Sequence, residues 1–192
     1  MSKLKVIMLG LILFLVACGG EEIETNMDES VKPFEFTTES NDTLSNEDLN
    51  GEWWVADFVF TNCTTVCLPM TSNMSVLQTK MQEEDIDAQL VSFSVDPDYD
   101  SPEVLTEYAA DYDADLDNWT FLTGYDFDTI KELSIKSFKS LLAEAPPGDD
   151  QVTHGTSFFL VNPDGEVIKK YNGVDTKVMD EIIDDLKVVT KS

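Results

Sequence analysis

Residues 58–70 have the sequence Phe-Val-Phe-Thr-Asn-Cys-Thr-Thr-Val-Cys-Leu-Pro-Met, and this stretch is the best guide to the architecture of the chain. It begins in an apolar run that predicts a buried strand, and it ends in the first turn of a predicted helix. Two cysteines, Cys63 and Cys67, lie at the junction. The N–H groups of a helix N-terminus stabilise a thiolate, so both thiols are expected to be reactive. Such thiols either exchange electrons or hold a soft metal.

The spacing of the two cysteines favours one of these uses and leaves the other open. Side chains four apart on a helix have Cβ atoms about 5–6 Å apart, whereas a disulfide needs about 3.5–4.5 Å. A disulfide between Cys63 and Cys67 therefore requires an irregular first turn. A metal with bonds of about 2.3 Å to each sulfur relaxes this demand, because the two thiolates need not touch.

Predicted strands and helices alternate along the rest of the chain. Strands are predicted over 34–37, 53–61, 88–95, 119–122, 157–161 and 166–171, and helices over 67–84, from 101 onward, over 126–142 and over 176–189. This order predicts an α/β fold with a mixed central sheet and helices on both faces. Cysteines at the first strand-to-helix turn make the arrangement thioredoxin-like.

The first residues have the pattern of a bacterial lipoprotein leader. Two lysines precede an apolar segment over 6–17, which is too short to span a bilayer as a helix. Leu-Val-Ala-Cys-Gly over 15–19 has small residues before a cysteine, as at a lipoprotein cleavage site. We therefore predict a signal peptide over 1–17 and lipidation of Cys18, which anchors the chain to the extracytoplasmic face of the cell membrane.

The segment that follows the leader predicts a tether and then one domain. Residues 18–32 are acidic and poor in apolar side chains, so we expect a disordered, lipid-anchored tether there. Residues 33–192 are enough for one domain with a core of its own. With Cys18 lipidated, Cys63 and Cys67 remain as one pair in an oxidising compartment, where thiols tend to form disulfides.

The charge of the chain excludes some partners. The formal net charge is −26, and the twelve basic residues are all lysine. Nucleic acids and anionic lipid surfaces are bound through clustered basic side chains, so neither is an expected partner. Contact with the membrane is therefore expected through the lipid anchor only.

The one histidine of the chain, His154, is a candidate metal ligand. It lies in a loop entering the strand predicted over 157–161, and a thioredoxin-like layout brings that loop to face the cysteine turn. Two thiolates with one imidazole suit copper, because thiolates favour Cu(I) and imidazole supports Cu(II). A structural zinc site would ordinarily need a fourth protein ligand.

Three other groups of residues have weaker claims to a site. Asp57 lies on the strand that leads to the cysteines. A carboxylate there either shifts the pKa values of the thiols or lies at a wet, solvent-exposed edge of the strand. Met70 and Met74 offer thioether sulfurs, but their spacing is that of a core-facing helix stripe. A calcium-loop pattern is completed by Asp96, Asp98, Asp100 and Glu107, but Ser101 replaces the required glycine.

Several segments together resemble the Sco/SenC family of copper-binding assembly factors. These segments are 60–70, 93–100, 118–124, 160–165 and the isolated His154. The resemblance implies a thioredoxin-fold metallochaperone that takes part in assembly of the binuclear copper centre of cytochrome c oxidase. It also implies that Cys63, Cys67 and His154 are the copper ligands and that the copper-bearing oxidase subunit is the partner.

Two further functions compete with copper delivery. The cysteine pair could act as a thiol–disulfide oxidoreductase, with Cys63 attacking and Cys67 resolving a disulfide of the same oxidase subunit. An extracytoplasmic thiol reductant would then keep the pair open. A thiol peroxidase of the peroxiredoxin type needs an arginine beside its thiolate, and this chain has no arginine.

Overall fold

The structure is a computed structural model that describes residues 23–63, 67–149 and 151–190, with Cys67 described by its backbone. The strands are β1 (Glu29–Ser30), β2 (Glu35–Thr38), β3 (Thr43–Ser45), β4 (Trp54–Val59), β5 (Gln89–Ser94), β6 (Trp119–Thr123), β7 (Leu142–Ala143), β8 (Thr153–His154), β9 (Ser157–Val161) and β10 (Glu166–Asn172). The helices are α1 (Cys67–Glu83), α2 (Pro102–Asp111), α3 (Phe127–Phe138) and α4 (Val178–Thr190). No helix within these residues is both long and apolar enough to cross a membrane.

Eight strands form one mixed sheet in the order β1-β10-β9-β4-β5-β6-β2-β3. The central strands β4, β5 and β6 are parallel, whereas β9 and β2 pair antiparallel with them. Every residue of β4 is buried, because helices cover both faces of the sheet. One core cluster joins α1, α2 and α4 to Val55, and another joins α3 to Ala56 and Phe58. The predicted α/β, thioredoxin-like fold with flanking helices is confirmed.

Helix α1 is held on the sheet by its apolar stripe. The side chains of Met70, Met74, Leu77 and Met81 are 0% exposed and pack in the cluster that contains Val55 of β4. Their steps of four, three and four residues place them on one helix face, as predicted. Met70 and Met74 are therefore core residues, and their packing holds the start of α1 over the sheet.

Helix α3 is shorter than predicted. It ends at Phe138 because Lys139 adopts a left-handed conformation (φ 48°) and donates its N–H to the carbonyl of Ser134. The chain after this cap becomes β7, which pairs Leu142 with His154 of β8 in a separate two-stranded sheet. The early end of α3 therefore creates the strand that positions the histidine.

The prediction of a disordered tether is wrong for residues 26–31. The amides of Asn26 and Met27 donate to the carbonyl of Ile168, and Glu29 pairs with Val167 of β10. Met27 and Val31 also pack against the core cluster that contains the buried side chains of α3. The backbone of β10 would otherwise form an edge of the sheet, and pairing with it orders a segment whose side chains are mostly polar. The predicted leader and Cys18 lie outside the described residues.

Replacing Met74 with alanine tests the packing of α1. Met74→Ala removes a fully buried side chain and is expected to lower the free energy of unfolding by about 2–5 kcal/mol. The matched control is Val76→Ala on the same helix, where the side chain is 46% exposed, and its effect should stay within about 0.5 kcal/mol. Urea denaturation followed by circular dichroism measures both, and equal effects would contradict the assignment.

Candidate metal centre

Cys63 lies in the turn that connects β4 to α1. Its N–H donates a 3.3 Å hydrogen bond to the carbonyl of Phe60, and its side chain is 7% exposed within the same core cluster as Phe60. Cys67 follows four positions later as the first residue of α1. The structure therefore places both cysteines at the strand-to-helix junction, as the sequence indicates.

Asp100 fixes the start of this turn. Its carboxylate is fully buried and accepts hydrogen bonds from the hydroxyl of Thr61 (2.6 Å) and the amide of Thr61 (3.3 Å). The hydroxyl of Ser94, at the end of β5, donates to its other oxygen at 2.6 Å. Burial raises the pKa of Asp100, and the hydrogen bonds from Ser94 and Thr61 oppose the rise. Asp100 thus has a structural role in holding the turn after β4.

His154 is positioned on β8 with its ring in a defined tautomer. The side chain is 9% exposed, and Nδ1 lies 2.9 Å from the carbonyl oxygen of Gly155. A carbonyl oxygen only accepts, so Nδ1 carries the proton and the lone pair of the neutral ring is on Nε2. Histidine ligands are commonly oriented in this way by a backbone carbonyl. In this tautomer Nε2 is the ring nitrogen with the chemistry of a metal ligand.

Two contacts bring the His154 strand and the Cys63 turn together. The rings of Phe60 and His154 meet edge to face with centroids 5.7 Å apart, and Phe60 is three residues before Cys63. The side-chain amide of Gln151 donates to the carbonyl of Asn62 at 3.1 Å. Among the described residues, which include only the backbone of Cys67, no group of three or more His, Cys, Asp or Glu side chains is arranged to hold a metal. The described site thus joins the regions of two predicted ligands, with the third position at the start of α1.

Gly155 allows β8 to approach the chain that follows α3. Its amide donates to the carbonyl of Leu141 at 2.9 Å. A Cβ atom at Gly155 would lie 2.4 Å from Oγ of Ser140, which is closer than side-chain atoms normally come. A side chain at position 155 would therefore require Ser140 or β8 to move, a constraint set by a contact between separate segments of the chain.

Asp57 is the least satisfied polar residue near the site. It is 0% exposed, and Oδ1 accepts a 2.6 Å hydrogen bond from the hydroxyl of Ser92, which in turn accepts from the indole N–H of Trp119. Oδ2 has no hydrogen-bond partner in the described part of the chain. Burial raises the pKa of Asp57 to about 7, and the hydrogen bond from Ser92 opposes the rise. Asp57 is thus an interior residue, and the alternative of a wet strand edge is wrong.

One family model and one relative show which proteins this chain is similar to. The family model described as SCO1/SenC matches residues 23–191. The "SCO1 protein homolog" of Bacillus subtilis is 49% identical over 188 residues, which are 97% of each chain.

Solved structures agree with this similarity. A SCO1/SenC family lipoprotein from Bacillus anthracis has a TM-score of 0.79 and 45% identity over 83% of this chain and 94% of its own. BsSco, described as a cytochrome c oxidase assembly protein with a disulfide switch, has a TM-score of 0.81 and 47% identity over 88% and 98%. Yeast Sco1 with copper bound has a TM-score of 0.66 and 26% identity over 83% and 89%.

The buried carboxyl of Asp57 should make stability depend on pH. Because its folded pKa is about 7 and its ordinary value is 3.8, the folded state binds the proton more tightly. The resulting stabilisation is complete below about pH 4 and is lost as pH rises through about 7, a change on the order of 4 kcal/mol. Asp57→Asn removes this titration, so its stability relative to the wild type should rise from pH 4 to pH 8. Denaturant titrations at each pH measure the difference, and a difference independent of pH would contradict the assignment.

The contact between Gly155 and Ser140 can be tested with a compensating pair. Gly155→Ala should displace β8 and weaken Cu(II) binding by about 10- to 100-fold, the range typical when support of a ligand is lost. The double variant Ser140→Ala/Gly155→Ala removes the clashing Oγ and should recover most of the affinity. Titration of the reduced protein with Cu(II), followed by thiolate-to-copper absorption, measures all three proteins. A double variant as weak as Gly155→Ala would rule out the steric explanation.

Proposed function

The chain belongs to the SCO1/SenC family, and from this premise we propose that it binds copper and takes part in assembly of the binuclear copper centre of cytochrome c oxidase. In this proposal the thiolates of Cys63 and Cys67 and the imidazole of His154 hold the copper. The observation that carries the proposal is the contact between His154 and Phe60. It joins the strand of the imidazole to the turn of the first thiol.

The donor set accounts for the choice of metal. Two thiolates and one imidazole suit both oxidation states of copper. Thiols must lose their protons to bind a metal, so binding should strengthen as pH rises toward the thiol pKa values. Yeast Sco1, which shares 26% identity with this chain, has been solved with copper bound. The copper is cargo in this role, received and then passed on.

We propose the copper-bearing subunit of the oxidase as the acceptor. The support is the description of BsSco as a member of a family of cytochrome c oxidase assembly proteins. The predicted leader over 1–17 and lipid at Cys18 would keep the domain at the extracytoplasmic face of the membrane. The lipoprotein described for Bacillus anthracis, 45% identical to this chain, supports that location.

A second role, thiol–disulfide exchange, is favoured by a separate observation. BsSco, 47% identical to this chain, is described as having a disulfide switch. We propose that Cys63 and Cys67 form a reversible disulfide and that the reduced pair can reduce the cysteines of the acceptor. An acceptor must be reduced before it can bind copper, so the two roles can follow one another. An extracytoplasmic thiol reductant would reset the pair.

His154→Ala separates the two roles. Loss of the imidazole should abolish tight Cu(II) binding, while reduction of a disulfide by Cys63 and Cys67 should continue at the wild-type rate. Spectroscopic titration with Cu(II) and a disulfide-reduction assay on the same full-length preparation measure the two effects. As a control, wild-type protein oxidised to the disulfide should bind copper only after reduction. If cells carrying His154→Ala assemble normal oxidase, delivery through a three-ligand site is wrong.

A further inference from the structure

Asn73 is a polar residue on the buried side of α1. Its side chain is 5% exposed, and the next residue, Met74, is 0% exposed and packs in the core. A side-chain amide is costly to bury unless it is hydrogen-bonded, and asparagine also has a low helix propensity. Its Nδ2 donates a 2.8 Å hydrogen bond to the carbonyl of Gly173, just after β10. Asn73 therefore connects the helix that begins with Cys67 to a segment 100 residues away.

Gly173 is in turn bound to the chain that follows His154. Its N–H donates a 2.8 Å hydrogen bond to the carbonyl of Thr156, which extends the pairing of β10 with β9 by one step beyond Asn172 and Ser157. A Cβ atom at Gly173 would lie 2.9 Å from that carbonyl oxygen, so the two backbones approach more closely than a larger residue would allow. Two hydrogen bonds thus join α1 to a residue two positions after His154.

This connection lies close in sequence to two of the proposed copper ligands. Asn73 is six residues after Cys67, about 9 Å along the helix. Thr156 is two residues after His154, a span of at most about 7 Å. The contacts of β8 described above join it to the turn of Cys63, and the Asn73 connection joins the same part of the chain to the helix of Cys67. The histidine segment is therefore bound to the elements of both cysteines.

Gln78 provides a contrast on the same helix. Its side chain is 3% exposed, and its amide nitrogen donates to the carbonyl of Asp115 at 2.8 Å and to Oδ1 of Asn118 at 2.6 Å. Asn118 precedes β6, which β4 and β5 separate from β9 in the sheet. The bonds of Gln78 therefore hold α1 on the side away from the histidine segment, whereas the bond of Asn73 holds it on the near side.

We propose that Asn73 is a positioning residue of the copper site, whose hydrogen bond to Gly173 sets the distance between the start of α1 and His154. The inference rests on the copper-binding role proposed above. The proposed ligands lie on separate elements, so their spacing before copper arrives depends on contacts between those elements. Ligands already held at the right spacing bind more tightly, because less order has to be created on binding. Without the amide of Asn73, the segment of His154 would shift relative to α1.

Asn73→Leu tests this assignment, with Gln78→Met as the matched control. Each change replaces a buried side-chain amide of α1 with an apolar group of similar size. In titrations of full-length reduced protein with Cu(II) in detergent, Asn73→Leu should weaken binding about 10- to 100-fold, the range typical when support of a ligand is lost, and should shift the thiolate-to-copper absorption. Gln78→Met should keep the wild-type affinity and spectrum. Equal weakening by the two variants would overturn the inference, because general loosening of α1 would then explain both.

A comparison in the His154→Ala background separates positioning from stability. Cu(I) held there by the cysteine thiolates should bind equally well with and without Asn73→Leu, because the imidazole that Asn73 positions is gone and the two changes are then not additive. Competition with a Cu(I) chelator measures both affinities. Further weakening by Asn73→Leu in this background would show that the residue does not act through His154.

Hydrogen exchange gives a readout without copper. In Asn73→Leu the amide of Gly173, which donates to Thr156, should exchange faster than in the wild type, and in Gln78→Met it should not. Unchanged exchange in Asn73→Leu would overturn the inference.

Gly173→Ala perturbs the same connection from its other end and decides the matter if Asn73→Leu does not fold. The added Cβ would meet the carbonyl oxygen of Thr156, so Cu(II) binding should weaken as in Asn73→Leu. Wild-type affinity in Gly173→Ala would contradict this inference alone. A reduced wild-type protein that binds no copper would instead contradict the proposed function.

Discussion

The hydrogen bonds from Thr61 to Asp100 hold the end of β4, and the candidate site is arranged around that point. The hydroxyl and the amide of Thr61 both donate to one buried carboxylate, so the chain leaves the sheet at a fixed place and turns toward Cys63. Asp100 is itself held by Ser94 at the end of β5, and its carbonyl accepts from the hydroxyl of Thr123 at the end of β6. One residue therefore links the carboxyl ends of three parallel strands, which is where open α/β sheets place their ligands.

A short set of contacts from the other side completes the arrangement. The two-stranded sheet of β7 and β8 brings His154 to the ring of Phe60, and Gln151 ties the preceding loop to the carbonyl of Asn62. These contacts are side-chain interactions between segments about ninety residues apart in sequence. The cysteine turn is thus fixed to the main sheet, whereas the histidine is carried by a small sheet that adjoins it. A change of either part would alter the spacing between Cys63 and His154.

The parts of this structure that follow from local rules could be predicted from the sequence. The apolar stripe of α1 and the start of α2 near residue 101 were both predicted, because each depends on residues within two helical turns. The early end of α3 depends on a left-handed Lys139, a conformation that lysine does not favour. The segment 26–31 is ordered by the backbone of a strand some 140 residues away. The complete burial of Asp57 likewise depends on the elements that cover β4 and on no feature of its own neighbours in sequence.

If Cys18 carries the proposed lipid, the pairing of β1 with β10 also shortens the chain between that lipid and the sheet. Hydrogen bonding from Asn26 onward leaves eight residues for that span, a reach of at most about 29 Å. A tether that ended only at residue 33 would reach about 54 Å. The shorter span would keep the candidate copper site close to the bilayer. That would raise its effective concentration toward the proposed acceptor in the membrane and limit the angles at which the two can meet. The edge strand would then act as a spacer whose length is set by backbone pairing.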